Sequence, residues 1–100
     1  MARFELLRGD AALGIVTLDL AECDFPWRGG WLEPAPAFAA VEPLFQEWEL
    51  LLEAEDFGEA SAAVFGQIIG PGIYLRPLGG GAPEEVHGIR IDADRRVIWR

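Results

Sequence analysis

Five kinds of side chain that could serve as nucleophile, base or ligand occur once each in the 100-residue chain: Ser61, Thr17, Tyr74, His87 and Cys23. Lysine and asparagine are absent. A Ser-His-acid triad would have to use Ser61, which the surrounding apolar spacing places in mid-helix, away from the strained turn that exposes such a nucleophile. A thiol mechanism would need Cys23 beside His87, whereas the simpler reading is a small buried thiol at a strand end and a histidine within an ordinary strand. Structural zinc requires several Cys or His ligands at close spacing, and these two residues are the whole supply. Asp92 and Asp94 with Glu84 and Glu85 could gather around a hard cation, but Arg95 and Arg96 sit beside them and the rest of a calcium loop is missing. Gly79-Gly80-Gly81 lacks a Gly-Lys-Ser/Thr ending and precedes a strand, so it reads as a hinge. The expectation is no catalytic residue, no metal and no cofactor.

Carboxylates near aromatic rings are the one remaining chemical theme. Residues 23–38 concentrate two of the four tryptophans, three of the seven prolines and two of the six phenylalanines around Gly29-Gly30. Rings of that area next to rigid prolines predict a segment packed onto something rather than a solvated loop. Asp24 and Glu33 flank the stretch, with Trp27, Arg28 and Trp31 between them, an arrangement a small carboxylate-based hydrolase or a sugar-binding domain would use. The competing reading makes Asp24 a turn cap and leaves Arg28 and Glu33 solvated or paired with each other.

Charge is distributed unevenly. The formal net charge is −9, and all eight cations are arginines. Eight acids and no arginine fall between Glu33 and Glu59, so that span holds −8, against −2 for residues 1–32 and +1 for residues 60–100. Glu49 and Glu53 repel at helical spacing. An acidic helical face that gains nothing for the isolated fold points to docking of a basic partner, with Trp27 and Trp31 supplying an aromatic hot spot; the competing reading is a solubilising face on a protein whose composition runs acidic. Self-association is the other form such a binding domain could take. Nucleic acid is excluded as a partner by the same charge, because phosphate contacts need clustered cations.

Those residues must be positioned by a single domain covering residues 1–100. Phe4 and Leu6 alternate with charged neighbours, Gly9-Asp10 makes a turn, and Leu13 to Leu20 resumes an apolar β-branched run: an antiparallel hairpin. Arg8-Gly9-Asp10 spells an adhesion tripeptide but reads as that turn. Phe38, Val41, Leu44, Phe45, Trp48, Leu51 and Leu52 have helical spacing. Pro43 predicts an interruption, with a short turn to Val41, Glu42 near the cap and the main helix from Pro43 to Ala54. Asp56 and Glu59 have capping-box spacing and open a second helix that Gly70-Pro71 ends. Ile73 to Arg76, Val86 to Ile91 and Val97 to Trp99 then read as three strands. The order β-β-α-α-β-β-β predicts an α+β fold with a mainly antiparallel five-stranded sheet and two helices on one face.

The first ten residues lack the apolar core of a signal peptide, and a cytoplasmic location is expected. The longest uncharged run, Ala60 to Leu75, is too short and too broken to cross a bilayer, so no membrane is expected as a partner. One cysteine excludes an internal disulfide.

Asp24-Phe25-Pro26-Trp27, followed by Glu33-Pro34, Phe38 and Val41-Glu42-Pro43-Leu44-Phe45, resembles a family of short uncharacterised bacterial proteins with such a stretch ahead of an acidic helix. The resemblance implies no particular activity and assigns no catalytic or binding residue. The expected function is a non-catalytic, acidic protein-binding or self-associating domain, for instance of the antitoxin or immunity type.

Overall fold

The computed structural model describes residues 2–100. Its strands are β1 (Arg3–Arg8), β2 (Ala11–Leu18), β3 (Arg28–Pro34), β4 (Ile73–Pro77), β5 (Glu84–Val86), β6 (Ile89–Ile91) and β7 (Arg96–Trp99). Its helices are α1 (Phe38–Glu53) and α2 (Glu59–Ile69), and a single 3-10 turn spans Leu20–Glu22. No helix among the described residues is long and apolar enough to cross a membrane.

The strands form one sheet in the order β5-β4-β1-β2-β3-β7-β6, and every neighbouring pair is antiparallel. The α+β class and the two helices match expectation, but the five-stranded sheet does not: there are seven strands in a nearly closed barrel. The curvature follows from connectivity. β5 and β6 occupy opposite edges of the sheet, yet only His87 and Gly88 separate them. Three Cα–Cα steps reach at most about 11 Å, so the sheet has to curl until its edges almost meet.

Two departures from the expected pattern raise the strand number. Val86 to Ile91 is not one strand but two, because the chain crosses from one edge to the other at His87-Gly88. The second is β3, which runs through the Gly-Gly stretch in the middle of the sheet, between β2 and β7. A side chain at Gly30 would place Cβ 2.1 Å from the Thr17 carbonyl oxygen, so only glycine allows β3 to lie against β2 at that point. Leu32 then points into the core while Trp31 and Glu33 point out. The pairing of β1 with β2 slips by one residue between Leu6 and Leu7, a bulge that bends the sheet.

Both helices cover the concave side. Phe38 and Phe45 of α1 and Val64 and Ile68 of α2 share one core with Leu6, Val16, Leu32, Leu75, Val97 and Trp99 from the strands. The helices pair through Trp48 and Phe65, whose ring centroids are 5.1 Å apart. Contrary to expectation, α1 is continuous through Pro43. Its entry is wound by tight i to i+3 bonds from Phe38 and Ala39 to Ala35 and Pro36, and the one acceptor deprived by Pro43, the Ala39 carbonyl, belongs to an exposed residue. Glu42 therefore lies inside the helix. The expected capping box does not form either: α2 starts at Glu59, and the Asp56 carboxylate accepts from the Gly58 N–H at 3.1 Å to shape the preceding turn. Ser61 is buried and spends its hydroxyl on the Gly58 carbonyl, at 2.9 Å. Arg8, at the end of β1, donates to the carbonyls of Gln67 (2.7 Å) and Ile68 (3.1 Å), satisfying acceptors that the end of α2 leaves open.

Candidate functional site

The connection between β2 and β3 carries the first part of the site. After the 3-10 turn, Asp24 and Trp27 close a tight loop by two backbone hydrogen bonds, Asp24 N–H to Trp27 O at 2.9 Å and Trp27 N–H to Asp24 O at 2.7 Å. Phe25 stands at the tip, 97% exposed. The half-buried Trp27 packs against the Gly88 backbone, and the Arg100 guanidinium lies 5.0 Å from its ring centroid. Below it opens a cleft of about 260 Å³ lined by Glu22, Asp24, Trp27, Arg90 and Ile98.

A larger cleft of about 590 Å³ runs between α1 and the turn joining β6 to β7. Gln46, Leu50 and Glu53, at i, i+4 and i+7, put one face of α1 along it, and Asp92, Ala93 and Asp94 form the opposite wall. The Asp92 carboxylate holds that wall in shape by accepting the N–H groups of Asp94 (2.9 Å) and Arg96 (3.0 Å). Arg90 lines both clefts and joins them. Its Nε and Nη2 donate to one oxygen of Glu49 at 3.1 and 2.8 Å. Arg96 ties the same boundary together, 3.3 Å from Glu22 and 3.5 Å from Asp92.

The combined surface carries six carboxylates (Glu22, Asp24, Glu49, Glu53, Asp92, Asp94) against two guanidiniums, a formal −4. Both guanidiniums are already engaged. Asp24, Glu53 and Asp94 have no cationic partner among the described residues. Between the charges lie the apolar faces of the half-buried Trp27 and Ile98 and of Leu50, which is 66% exposed.

Four of the seven residues singled out in the sequence, Asp24, Trp27, Glu49 and Glu53, thus share one surface. The other three line neither cleft. Arg28 stacks over the buried Trp99 ring at 5.7 Å and pairs with Glu84 of β5, so it bridges the sheet near its opening. Trp31 is 42% exposed, with its indole N–H donating to Asp19 at 3.3 Å. Glu33 is 3.6 Å from Arg3 and borders a different cleft, with Glu5 and Ile15. Asp24 and Glu33 do not converge. The five extended steps from Arg28 to Glu33 alone cover about 17 Å, and glycosidase carboxylates stand roughly 5–9.5 Å apart.

Glu22, Arg90 and Ile98 carry no reading in the sequence, and Asp92 and Asp94 enter it only as candidate cation ligands. One signal was legible: Leu50 stands off the buried stripe of α1, between Glu49 and Glu53. Arg90 had none, since its partner lies 41 residues away. The acidic span is also less naked than its sequence: Glu42 pairs with Arg95, Glu49 with Arg90 and Glu33 with Arg3. Cys23 sulfur lies 3.4 Å from both the Gly29 N–H nitrogen and the Asp19 carbonyl oxygen, while His87 is exposed in the β5–β6 link. Among the described residues no three Cys, His, Asp or Glu side chains converge as metal ligands.

Fold and surface together define a small antiparallel barrel domain with a two-part acidic cleft beside its first helix. Comparison with protein-family models, curated proteins and solved structures finds no match.

Proposed function

We propose that the protein is a non-catalytic binding domain that docks a basic protein partner on the surface joined at Arg90. The observation behind this reading is the excess of carboxylates over guanidiniums there, with Asp24, Glu53 and Asp94 unpaired among the described residues and apolar patches between them. Such a surface gives long-range attraction for a cationic partner and an apolar floor to hold it. An inhibitor of the antitoxin or immunity kind would use this design to cover a basic active surface. Self-association fits less well, because two copies would each bring −9.

Affinity capture from native lysate, followed by reconstitution with the purified partner, tests the reading. A basic partner is expected. Its affinity should fall steeply between low and physiological salt, since exposed charges are screened over about 8–10 Å. Replacing Asp24, Glu53 and Asp94 together by lysine should abolish binding without unfolding the domain. A partner held equally well at high salt, or by the lysine variant, would overturn the proposal.

A further inference from the structure

Among the large apolar residues of α1, Leu50 alone faces water: Phe38, Phe45, Trp48 and Leu51 pack into the core, while Leu50 is 66% exposed. It stands on the face that lines the larger cleft, with Gln46 one turn before it and Glu53 one turn after. Glu53, and Asp94 on the opposite wall, are exposed and have no cationic partner among the described residues. The last turn of α1 holds no basic residue, although a helix favours a cation at its C-terminal end. An exposed leucine beside uncompensated carboxylates is the complement of an apolar side chain accompanied by cations. The cleft, about 590 Å³, has the size of a small-ligand pocket. It has room for a few side chains but not for a helix, which is about 10–12 Å across.

We infer that this cleft takes a short extended segment of the basic partner with the pattern apolar-basic-basic. This rests on the docking proposal above and names the sequence that one half of the surface reads. Alternate residues of an extended chain point to opposite sides and recur about 6.6–6.8 Å apart on one side. Leu50 and Glu53 are neighbours on the helix surface, about 5–6 Å apart. A segment running between the walls therefore sets its first side chain on Leu50 and its third, a cation, on Glu53. The second, also a cation, turns to Asp94.

The test uses the full chain and two capped eight-residue probes at low salt, one with Leu-Lys-Lys at its centre and the other with Ser-Lys-Lys, the rest being glycine and serine. Titration is followed by NMR. The leucine peptide should bind about three- to tenfold more tightly than the serine peptide, and L50S should remove that preference. E53Q and D94N should each weaken both peptides about two- to fivefold. E85Q, at an exposed residue that lines neither cleft, should weaken them less. Contacts between the peptide leucine methyls and those of Leu50 should appear in the wild-type complex, which decides the matter should L50S fail to fold. Equal, salt-sensitive binding of both peptides, or a leucine preference that survives in L50S, overturns the inference and leaves the docking proposal standing. Spermidine binding as tightly as the leucine peptide would make a small polyamine the occupant, and a dimer of the free chain lost in L50S would make it a second copy; either overturns the inference. If neither peptide binds, the inference falls, and the docking proposal is decided by its own lysine variant.

Discussion

Replacing Arg90 by alanine should pull stability and binding in opposite directions. The Glu49–Arg90 pair is neither surface nor core, with the Glu49 side chain 18% exposed and that of Arg90 42%. Exposed pairs contribute about 0.2–1 kcal/mol, whereas removing one partner of a buried pair costs about 3–5 kcal/mol because a charge is left stranded. Two donors on a single oxygen at 2.8 and 3.1 Å place this pair between those limits. The expected loss for R90A is about 2 kcal/mol, which lowers the midpoint of thermal unfolding of a domain of this size by roughly 8–16 °C. In a double-mutant cycle with E49Q, a coupling of about 1 kcal/mol or more should appear. The same substitution removes one of the two guanidiniums that line the acidic clefts, so binding of a short cationic peptide at low salt should strengthen severalfold. Urea unfolding gives the first quantity and peptide titration the second. A stability loss under about 0.5 kcal/mol would show that α1 is held to β6 by other contacts and that the pair is solvated. Unchanged peptide affinity would refute the electrostatic reasoning.

Other substitutions check the fold itself. Gly30→Ala should cost about 3 kcal/mol or prevent folding, because its Cβ would meet main-chain atoms of Thr17 that cannot yield. Gly66→Ala, with nothing within 4 Å of the added carbon, should instead stabilise α2 by about 0.5–1 kcal/mol; both are read by chemical denaturation, and the same sign for the two would contradict the close approach of β3 to β2. Arg28→Ala should cost about 1–2 kcal/mol from the lost stack on Trp99 and the lost pair with Glu84. Arg28→Lys should recover less than half of that, since an ammonium keeps the charge but not the flat contact, and full recovery would mean that only the charge matters.

Much of the architecture was readable without coordinates because it is local. The β1–β2 hairpin follows from alternation around Gly9-Asp10, and the two helices follow from the spacing of Phe38, Val41, Phe45, Trp48 and Val64, Ile68. Pro43 misled because its cost depends on where the freed carbonyl lies, and Ala39 faces solvent. β3 was hidden for a different reason. A strand announces itself through alternating side chains, and Gly29-Gly30 has none to alternate. Its identity as a strand is written in the backbone of β2 and β7 on either side. The site divides in the same way: Trp27 and Asp24 were visible as an aromatic-acid cluster, but nothing in the chain tells Glu49 that it lies beside Arg90.

From its sequence alone the chain was determined to be of the α+β class, poor in reactive side chains, with acidic residues that crowd into one span; these follow from composition and from periods of two and 3.6 residues. Tertiary structure alone decided that seven strands curl into a barrel and that Arg90 of β6 and Arg95 of the turn before β7 neutralise part of the acidic helix. It also decided that Asp24 and Glu53 share a surface while Asp24 and Glu33 do not. The physical reason is range: a helix turn or a hairpin is chosen by neighbours along the chain. The charge pairs that shape the site are chosen by groups far apart in the chain, 41 residues for Glu49 with Arg90 and 74 for Glu22 with Arg96, and such contacts leave no periodic trace in either partner.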